Sequence, residues 1–329
     1  MPEFEFAVLG AGAMGSIVGG HLARAGHSVA MLARGARAAQ LQRHGITIRG
    51  LAEFNTAVTV SDAAAFPGAQ TLIVATKTPG TAQALAVLRR GRFDVTFSIQ
   101  NGPLKNEILA AAFGAERVLG ALADTSGELL ADGAVLFTRN VNIFVGELAG
   151  GDSARARRLA AALEESGVHA CATPEILTLE WSKFCSWVGL MALSVTTRAV
   201  TWKFLLDADS ALLLVRLVRE MGVLAHALGI PISDRAILPT ASICAGSEHE
   251  AVAIVTAAGA HYLKNAPAHR MSALQDIEAG RPLEVNETLG YACERACELQ
   301  LELPLLDSFR RLIAATDRAR RDAVATGLP

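Results

Sequence analysis

The chain has 329 residues, of which 51% are apolar, 19% charged and 5% aromatic, and its formal net charge is −2. This apolar content excludes an intrinsically disordered chain, and neither half has the positive excess typical of a nucleic-acid binder. The length predicts two domains and a core large enough to need no disulfide or metal.

The N-terminal sequence, the apolar segments and the cysteines together favour a cytoplasmic protein. The N-terminal segment is acidic and runs straight into a glycine motif, so no signal peptide is predicted. The longest apolar stretch, 184–195, is too short to cross a bilayer and is read as a buried helix, so we expect no membrane association. The five cysteines form no Cys-x-x-Cys pair and are expected to be reduced, and we expect no metal site.

Residues 1–173 alternate between predicted strands and helices. Predicted strands cover 4–9, 28–33, 46–48, 57–60, 71–75, 95–99, 117–122, 135–137, 141–145 and 168–172, with 46–48 and 57–60 as a candidate hairpin. One predicted helix begins at the glycine motif described below and ends near residue 25. The others cover 37–44, 81–89, 104–113 and 154–166. Such alternation is typical of an α/β fold with a doubly wound parallel sheet covered by helices on both faces.

Helical periodicity dominates residues 174–329. Predicted helices cover 175–196, 208–228, 235–245, 249–264, 285–299 and 305–322. We therefore predict a Rossmann-type domain at 1–173 and an all-helical domain at 174–329, with a short junction and a cleft between them. The apolar run at 211–215 fits either a helical core or a homodimer interface, and both remain open.

A glycine motif follows the first predicted strand and opens a helix. Its six residues are Gly10, Ala11, Gly12, Ala13, Met14 and Gly15. In a dinucleotide-binding turn, the first glycine permits the tight turn and the second lets the backbone approach a pyrophosphate. The third allows close packing of helix and strand. A glycine-rich turn without a ligand is the alternative.

The end of the second predicted strand indicates the cofactor. An acidic residue there accepts a hydrogen bond from the ribose hydroxyl of NAD, but this chain has Arg34, with Arg37 one turn later. A guanidinium group suits a 2′-phosphate, so NADPH is predicted. Solvated arginines at a helix start are the alternative, a stronger one for Arg37 than for Arg34.

Polar residues follow two further predicted strands, and others stand out in the helical half. Lys77 and Asn101 lie where loops line the ligand crevice of a doubly wound sheet, although Asn101 also suits a plain turn. Lys183 sits inside an apolar helix, where it can either reach the surface or, if desolvated, exchange a proton. Ser272 and Glu284 offer a hydroxyl and a carboxylate, and Glu284 is also favoured simply by its predicted helix start.

Together these residues resemble the ketopantoate reductase (2-dehydropantoate 2-reductase) family. The matching motifs are Gly10-x-Gly12-x-x-Gly15, Thr76-Lys77, Ser98-Ile-Gln-Asn101-Gly102, Glu180-Trp181-x-Lys183 and Met271-Ser272-x-Leu-Gln-Asp276 followed by Glu284. The resemblance implies NADPH-dependent reduction of a 2-oxo acid, with 2-dehydropantoate as first candidate and pantothenate biosynthesis as the setting. Hydride transfer builds alkoxide charge, which a cationic donor stabilises.

The resemblance also implies roles for single residues. Lys183 is the general acid, and Glu284 binds a substrate hydroxyl, orients the lysine or contacts the cofactor. Asn101 and Lys77 contact cofactor and substrate. Ser272 contacts the substrate carboxylate.

Two positions depart from the family pattern. Trp187 and Met191, one and two turns after Lys183, stand where the family has asparagines that hold the substrate. A more apolar 2-oxo acid is therefore an alternative substrate. A non-catalytic NADPH-binding homologue and another two-domain dehydrogenase are further alternatives, although the chain lacks the catalytic histidine motif of the latter.

Overall fold

The computed structural model of the protein describes residues 3–326, with side chains through residue 322. The chain divides into two units between Leu177 and Thr178. Unit 1 contains the strands β1 (Phe4–Leu9), β2 (Val29–Leu32), β3 (Ile46–Gly50), β4 (Phe54–Thr56), β5 (Thr59–Ser61), β6 (Gly68–Val74), β7 (Arg92–Ser98), β8 (Leu119–Leu129), β9 (Val135–Glu147) and β10 (Ala170–Ala172). Its helices are α1 (Ala13–Arg24), α2 (Gly35–His44), α3 (Thr81–Ala86), α4 (Leu104–Phe113) and α5 (Ala154–Glu165).

The main sheet of unit 1 is parallel, as predicted, with strand order β5-β2-β1-β6-β7. The chain leaves β1 toward β2 on one side and later returns to β6 on the other, which makes the end of β1 a switch point of the topology. Leu9 pairs with Leu32 and with Val74, and Val74 pairs with Ser98. The loops after four strands therefore begin at one level of one sheet edge.

A second sheet, which the sequence did not predict, lies beside the first. Its order is β10-β9-β3-β4, and β8 pairs antiparallel with β9. The predicted hairpin is wrong: β3 pairs with β4, whereas β5 joins β2 in the main sheet. The two strands predicted at 135–137 and 141–145 are one strand, because polar residues such as the exposed Arg139, paired with Asp124, continue β9.

Helix α1 contacts both sheets, which explains why its residues 15–22 are all buried. Ile17 and Leu22 are fully buried in a core that includes β1, β3 and β9. Cβ atoms built on Gly19 and Gly20 would meet Met31 of β2 at 2.5 Å and Ile46 of β3 at 3.0 Å. This glycine pair therefore lets a strand of each sheet approach the helix closely.

Unit 2 is helical, as predicted. The boundary between the two units falls within the first turn of helix α6. Leu214 of α8 lies 2.4 Å from a Cβ built on Gly189 of α6, so these two helices pack closely. Within the apolar run at 211–215, Ala211, Leu214 and Val215 are buried in the chain itself. The helices are α6 (Ile176–Thr197), α7 (Thr201–Leu206), α8 (Ala208–Ala227), α9 (Thr240–Ala245), α10 (Glu248–Asn265), α11 (Ser272–Glu278), α12 (Tyr291–Glu298) and α13 (Pro304–Thr326).

Several predicted helices need correction. Helices α7 and α11 were not predicted, and the predicted helix 235–245 is confined to α9 because Pro239 precedes it. The predicted helix 285–299 is a π-helical turn (Asn286–Gly290) followed by α12. Over residues 3–326, no helix combines the length and apolarity needed to cross a membrane.

Candidate active site

The glycine motif connects β1 to α1, and each glycine meets a different constraint. Gly10 has φ +103°, a value that favours glycine, and a Cβ there would lie 2.8 Å from the Thr76 amide nitrogen. At Gly15 a Cβ would lie 1.9 Å from the Gly10 carbonyl oxygen. Gly12, in contrast, is the N-cap of α1 in extended conformation, and nothing lies within 4 Å of its Cβ position.

Gly12 therefore leaves an open space directly in front of a helix N-terminus. The first N–H groups of an α-helix have no acceptor within the helix, and they attract anions. Ala11, Ala13 and Met14 complete this turn between the sheet edge and α1. The turn has the geometry needed to hold a pyrophosphate.

The two arginines after β2 have different roles in the structure. Arg34 is the exposed N-cap of α2, just beyond the strand end that pairs with β1. Arg37 is half-buried and donates to the Ala11 carbonyl oxygen at 2.9 Å, the Ser16 hydroxyl at 2.8 Å and the Gly133 carbonyl oxygen at 2.7 Å. Arg37 is thus not a freely solvated side chain at a helix start, because it fastens the glycine motif to its surroundings.

Lys77 and Asn101 occupy the loops after β6 and β7, at the same sheet edge. Lys77 is exposed and Asn101 is half-buried. The structure thus brings the glycine motif, Arg34, Lys77 and Asn101 to one edge of unit 1.

Gln100 ties the loops after β6 and β7 together, and the sequence reading missed it. Its side-chain nitrogen donates to the Thr76 carbonyl oxygen at 2.9 Å and to the Thr81 hydroxyl at 2.7 Å. Lys105, buried in the first turn of α4, donates to the Gln100 carbonyl oxygen at 3.0 Å. A cation in the first turn opposes the helix dipole, and this was the available signal that Lys105 has a specific partner.

Lys183 lies in α6 among buried neighbours and is itself half-buried. Hydroxyl groups fix the backbone around it: Thr240 donates to the Ser182 carbonyl oxygen at 2.9 Å, and Ser186 donates to that of Lys183 at 3.1 Å. Trp187 and Met191 follow at spacings of four and eight residues, on the same face of the helix, and are 5% and 1% exposed. Lys183 is therefore followed along its face by buried apolar groups.

Glu284 lies in the segment between α11 and the π-helical turn rather than at the start of an α-helix, so the predicted helix start is wrong there. It is buried, and the Thr288 hydroxyl donates to its carbonyl oxygen. Burial raises the pKa of the half-buried Glu287 carboxyl, and the nearby Glu284 carboxyl raises it further. Single π-helical turns are frequent at functional sites, but a π turn has no distinct sequence pattern.

Ser272 is the first residue of α11 and is half-buried. Four residues later, the buried Asp276 carboxylate accepts from Arg281 Nε at 2.7 Å. Tyr291, just after the π-helical turn, packs against Phe184 of α6 with ring centroids 6.3 Å apart. This ring contact joins the helix of Lys183 to the start of α12, directly after the π-helical turn that follows Glu284.

Comparisons with known proteins agree over most of the chain. A family model described as ketopantoate reductase PanE/ApbA matches residues 6–150, and its C-terminal counterpart matches 175–317. A 2-dehydropantoate 2-reductase of Mesorhizobium japonicum is 25% identical over 98% of this chain and 99% of its own length. The two regions matched by the models correspond to the sheet-bearing and the helical parts of the chain.

Solved structures give the same picture of the fold. The 2-dehydropantoate 2-reductase of Methylococcus capsulatus is 26% identical, with a TM-score of 0.78 over 96% of this chain and 97% of that one. A D-mandelate dehydrogenase solved with NADH and anilino(oxo)acetate has a TM-score of 0.83 over 96% and 99% of the chains. Its identity is 19%, so this second likeness shows a shared fold alone.

Proposed function

We propose a substrate class and residue roles from one premise: this chain belongs to the ketopantoate reductase PanE/ApbA family and is an oxidoreductase of the 2-dehydropantoate 2-reductase type, with a nicotinamide cofactor that is NADPH in this family. The proposed reaction is reduction of a 2-oxo acid to a 2-hydroxy acid. Its first candidate substrate is 2-dehydropantoate. The observation that carries the proposal is Lys183, a half-buried lysine on a helix of buried side chains, at the lysine of the family motif.

Unit 1 has the features needed to hold a dinucleotide. The open space beside Gly12 suits a pyrophosphate at the start of α1. The exposed Arg34 suits a 2′-phosphate, and Lys77 and Asn101 lie at the same sheet edge. When bound, NADPH supplies the hydride.

Unit 2 supplies the groups proposed to act on the substrate. Lys183 donates a proton from Nζ to the carbonyl oxygen as negative charge develops there, and the buried surroundings of α6 strengthen this interaction. Glu284 accepts a hydrogen bond from a substrate hydroxyl or orients Lys183, and Ser272 binds the carboxylate. Together the three side chains would serve the three polar groups of a hydroxylated 2-oxo acid, which are its carbonyl oxygen, its hydroxyl and its carboxylate.

A more apolar 2-oxo acid is the second candidate substrate, and Trp187 and Met191 favour it. Both are buried on the helix face of Lys183, at positions where amides hold the substrate in the family. A site that lacks hydrogen-bond partners loses much of its preference for a hydroxylated substrate. We expect the lost amides to weaken binding of 2-dehydropantoate more than binding of a 2-oxo acid with a plain aliphatic or aromatic side chain.

The experiment is a panel of 2-oxo acids, with NADPH oxidation followed by the loss of absorbance of the reduced nicotinamide. It compares kcat/KM for 2-dehydropantoate with values for unhydroxylated aliphatic and aromatic acids. The variant Lys183→Ala should lose about 100-fold or more in kcat while NADPH still binds. Retained turnover in this variant would remove Lys183 from the acid role, and NADPH binding without turnover of any acid would favour the non-catalytic homologue.

A homodimer through the helical unit is also part of the proposal. The half-buried Leu212 and Leu213 flank buried residues of α8 and offer apolar surface. Light scattering coupled to size exclusion measures the mass directly. A monomer at micromolar concentration would contradict this assembly.

A further inference from the structure

We propose that Asp317 and Arg320 of α13 are positioning residues that clamp the segment carrying Glu284 to the end of α11. This inference rests on the proposed role of Glu284. Both residues belong to unit 2, and neither belongs to a motif that suggested the function. They act through the backbone that precedes the candidate site residue.

Asp317 fixes the residue directly before Glu284. Its carboxylate is buried, with 6% of the side chain exposed, and accepts from the Leu283 N–H at 3.3 Å. The same carboxylate pairs with Arg320 at 2.9 Å and with Arg321 at 3.1 Å. A buried carboxylate held by arginine and by a backbone donor forms charge-assisted hydrogen bonds, which are stronger than neutral ones.

Arg320 fixes the other end of the same segment. Its guanidinium donates to the Ile277 carbonyl oxygen at 3.1 Å, near the end of α11, and to the carbonyl oxygen of Arg281. Arg281 in turn bonds Asp276 at 2.7 Å. The planar fork of one arginine thus joins α11, the following turn and Asp317, a task that the point charge of lysine performs poorly.

A second aspartate on α13 is followed by arginines at the same spacing and provides a comparison. Asp307 has arginines at the same spacings, Arg310 and Arg311, and pairs with them at 2.7 and 2.6 Å. The Asp307 side chain is 39% exposed, and both of these arginines lie within α13. The two sets share their spacing, but the Asp317 set is buried and contacts the segment before Glu284.

The test compares Asp317→Ala with the matched control Asp307→Ala in the full-length enzyme. Misplacement of a reacting group by about 1 Å costs about 100-fold, so we expect Asp317→Ala to lower kcat at least about 10-fold. NADPH affinity should stay within about twofold, and Asp307→Ala should keep kcat within about twofold. Asp317→Asn retains an acceptor for the Leu283 N–H and should recover part of the loss.

Hydrogen exchange gives a readout that does not depend on turnover. Asp317→Ala and the milder Arg320→Lys should speed amide exchange in the peptide spanning 279–285, and Asp307→Ala should leave it unchanged. The Arg320→Lys variant also serves if Asp317→Ala does not fold. Unchanged kcat in both clamp variants, or unchanged exchange at 279–285, would overturn the clamp.

The two proposals can fail separately. A wild-type protein that binds NADPH but reduces no 2-oxo acid would overturn the proposed function. In that case faster exchange at 279–285 would still support the clamp, and unchanged exchange would overturn it as well.

Discussion

Alanine at Gly12 and at Gly15 should separate cofactor binding from stability. At Gly15 the added Cβ would lie 1.9 Å from the Gly10 carbonyl oxygen, so α1 must shift by about 1.5 Å to restore ordinary contact. Because α1 packs against both sheets, that shift disturbs a shared core. We expect Gly15→Ala to lower the free energy of unfolding by about 3 kcal/mol.

The Gly12→Ala substitution should leave the fold nearly intact. Nothing lies within 4 Å of the Cβ position, and the extended backbone of Gly12 suits any residue. Alanine is a poorer N-cap than glycine, which costs less than about 1 kcal/mol. The methyl group instead occupies the space proposed for the pyrophosphate, where each lost charge-assisted hydrogen bond is worth about 1.5–3 kcal/mol.

The expected result for Gly12→Ala is a Kd for NADPH about 10- to 100-fold higher than that of wild type. Urea denaturation without cofactor measures stability, and titration of NADPH fluorescence measures affinity. Wild-type affinity in Gly12→Ala would refute the pyrophosphate assignment. Wild-type stability in Gly15→Ala would refute the packing argument.

Two further predictions concern unit 1. Arg34→Ala should reduce the preference for NADPH over NADH by about 10-fold or more, because a charged contact to the 2′-phosphate is lost; equal preference in variant and wild type would exclude Arg34 from that role. Burial lowers the pKa of His21 below 6.5, so acidification through pH 6.5 should protonate the unfolded chain first and destabilise the fold. Thermal unfolding between pH 7.5 and 5.5 should therefore depend less on pH in His21→Leu than in the exposed control His44→Leu, and equal slopes would contradict this reasoning.

The main sheet was predictable because local signals and topology agree. Alternating apolar strands and helices, with the glycine turn after β1, determine both the strand type and the edge where loops meet. The second sheet was not predictable in this way. Its longest strand, β9, carries polar residues such as Arg139 that interrupt the apolar pattern, and its pairing with β3 joins residues far apart in sequence.

The candidate site shows the same division. Gly12, Arg34 and Lys183 stand out because their residue types are unusual for their predicted surroundings. Gln100 and Asp317 do not, since a glutamine after a strand and an aspartate on a charged helix are ordinary in sequence. Only the folded chain reveals that each contacts backbone beside a candidate site residue.

The unequal roles of Arg34 and Arg37 have a practical consequence for redesign. The side chain proposed to select the cofactor and the one that fastens the glycine motif lie three positions apart, but Arg34 is exposed whereas Arg37 bonds the turn itself. Engineers who seek an NADH-using variant can therefore vary Arg34 freely, whereas Arg37 has to be retained. In a library randomised at both positions, most members would lack Arg37 and therefore the hydrogen bonds that hold the nucleotide turn in place.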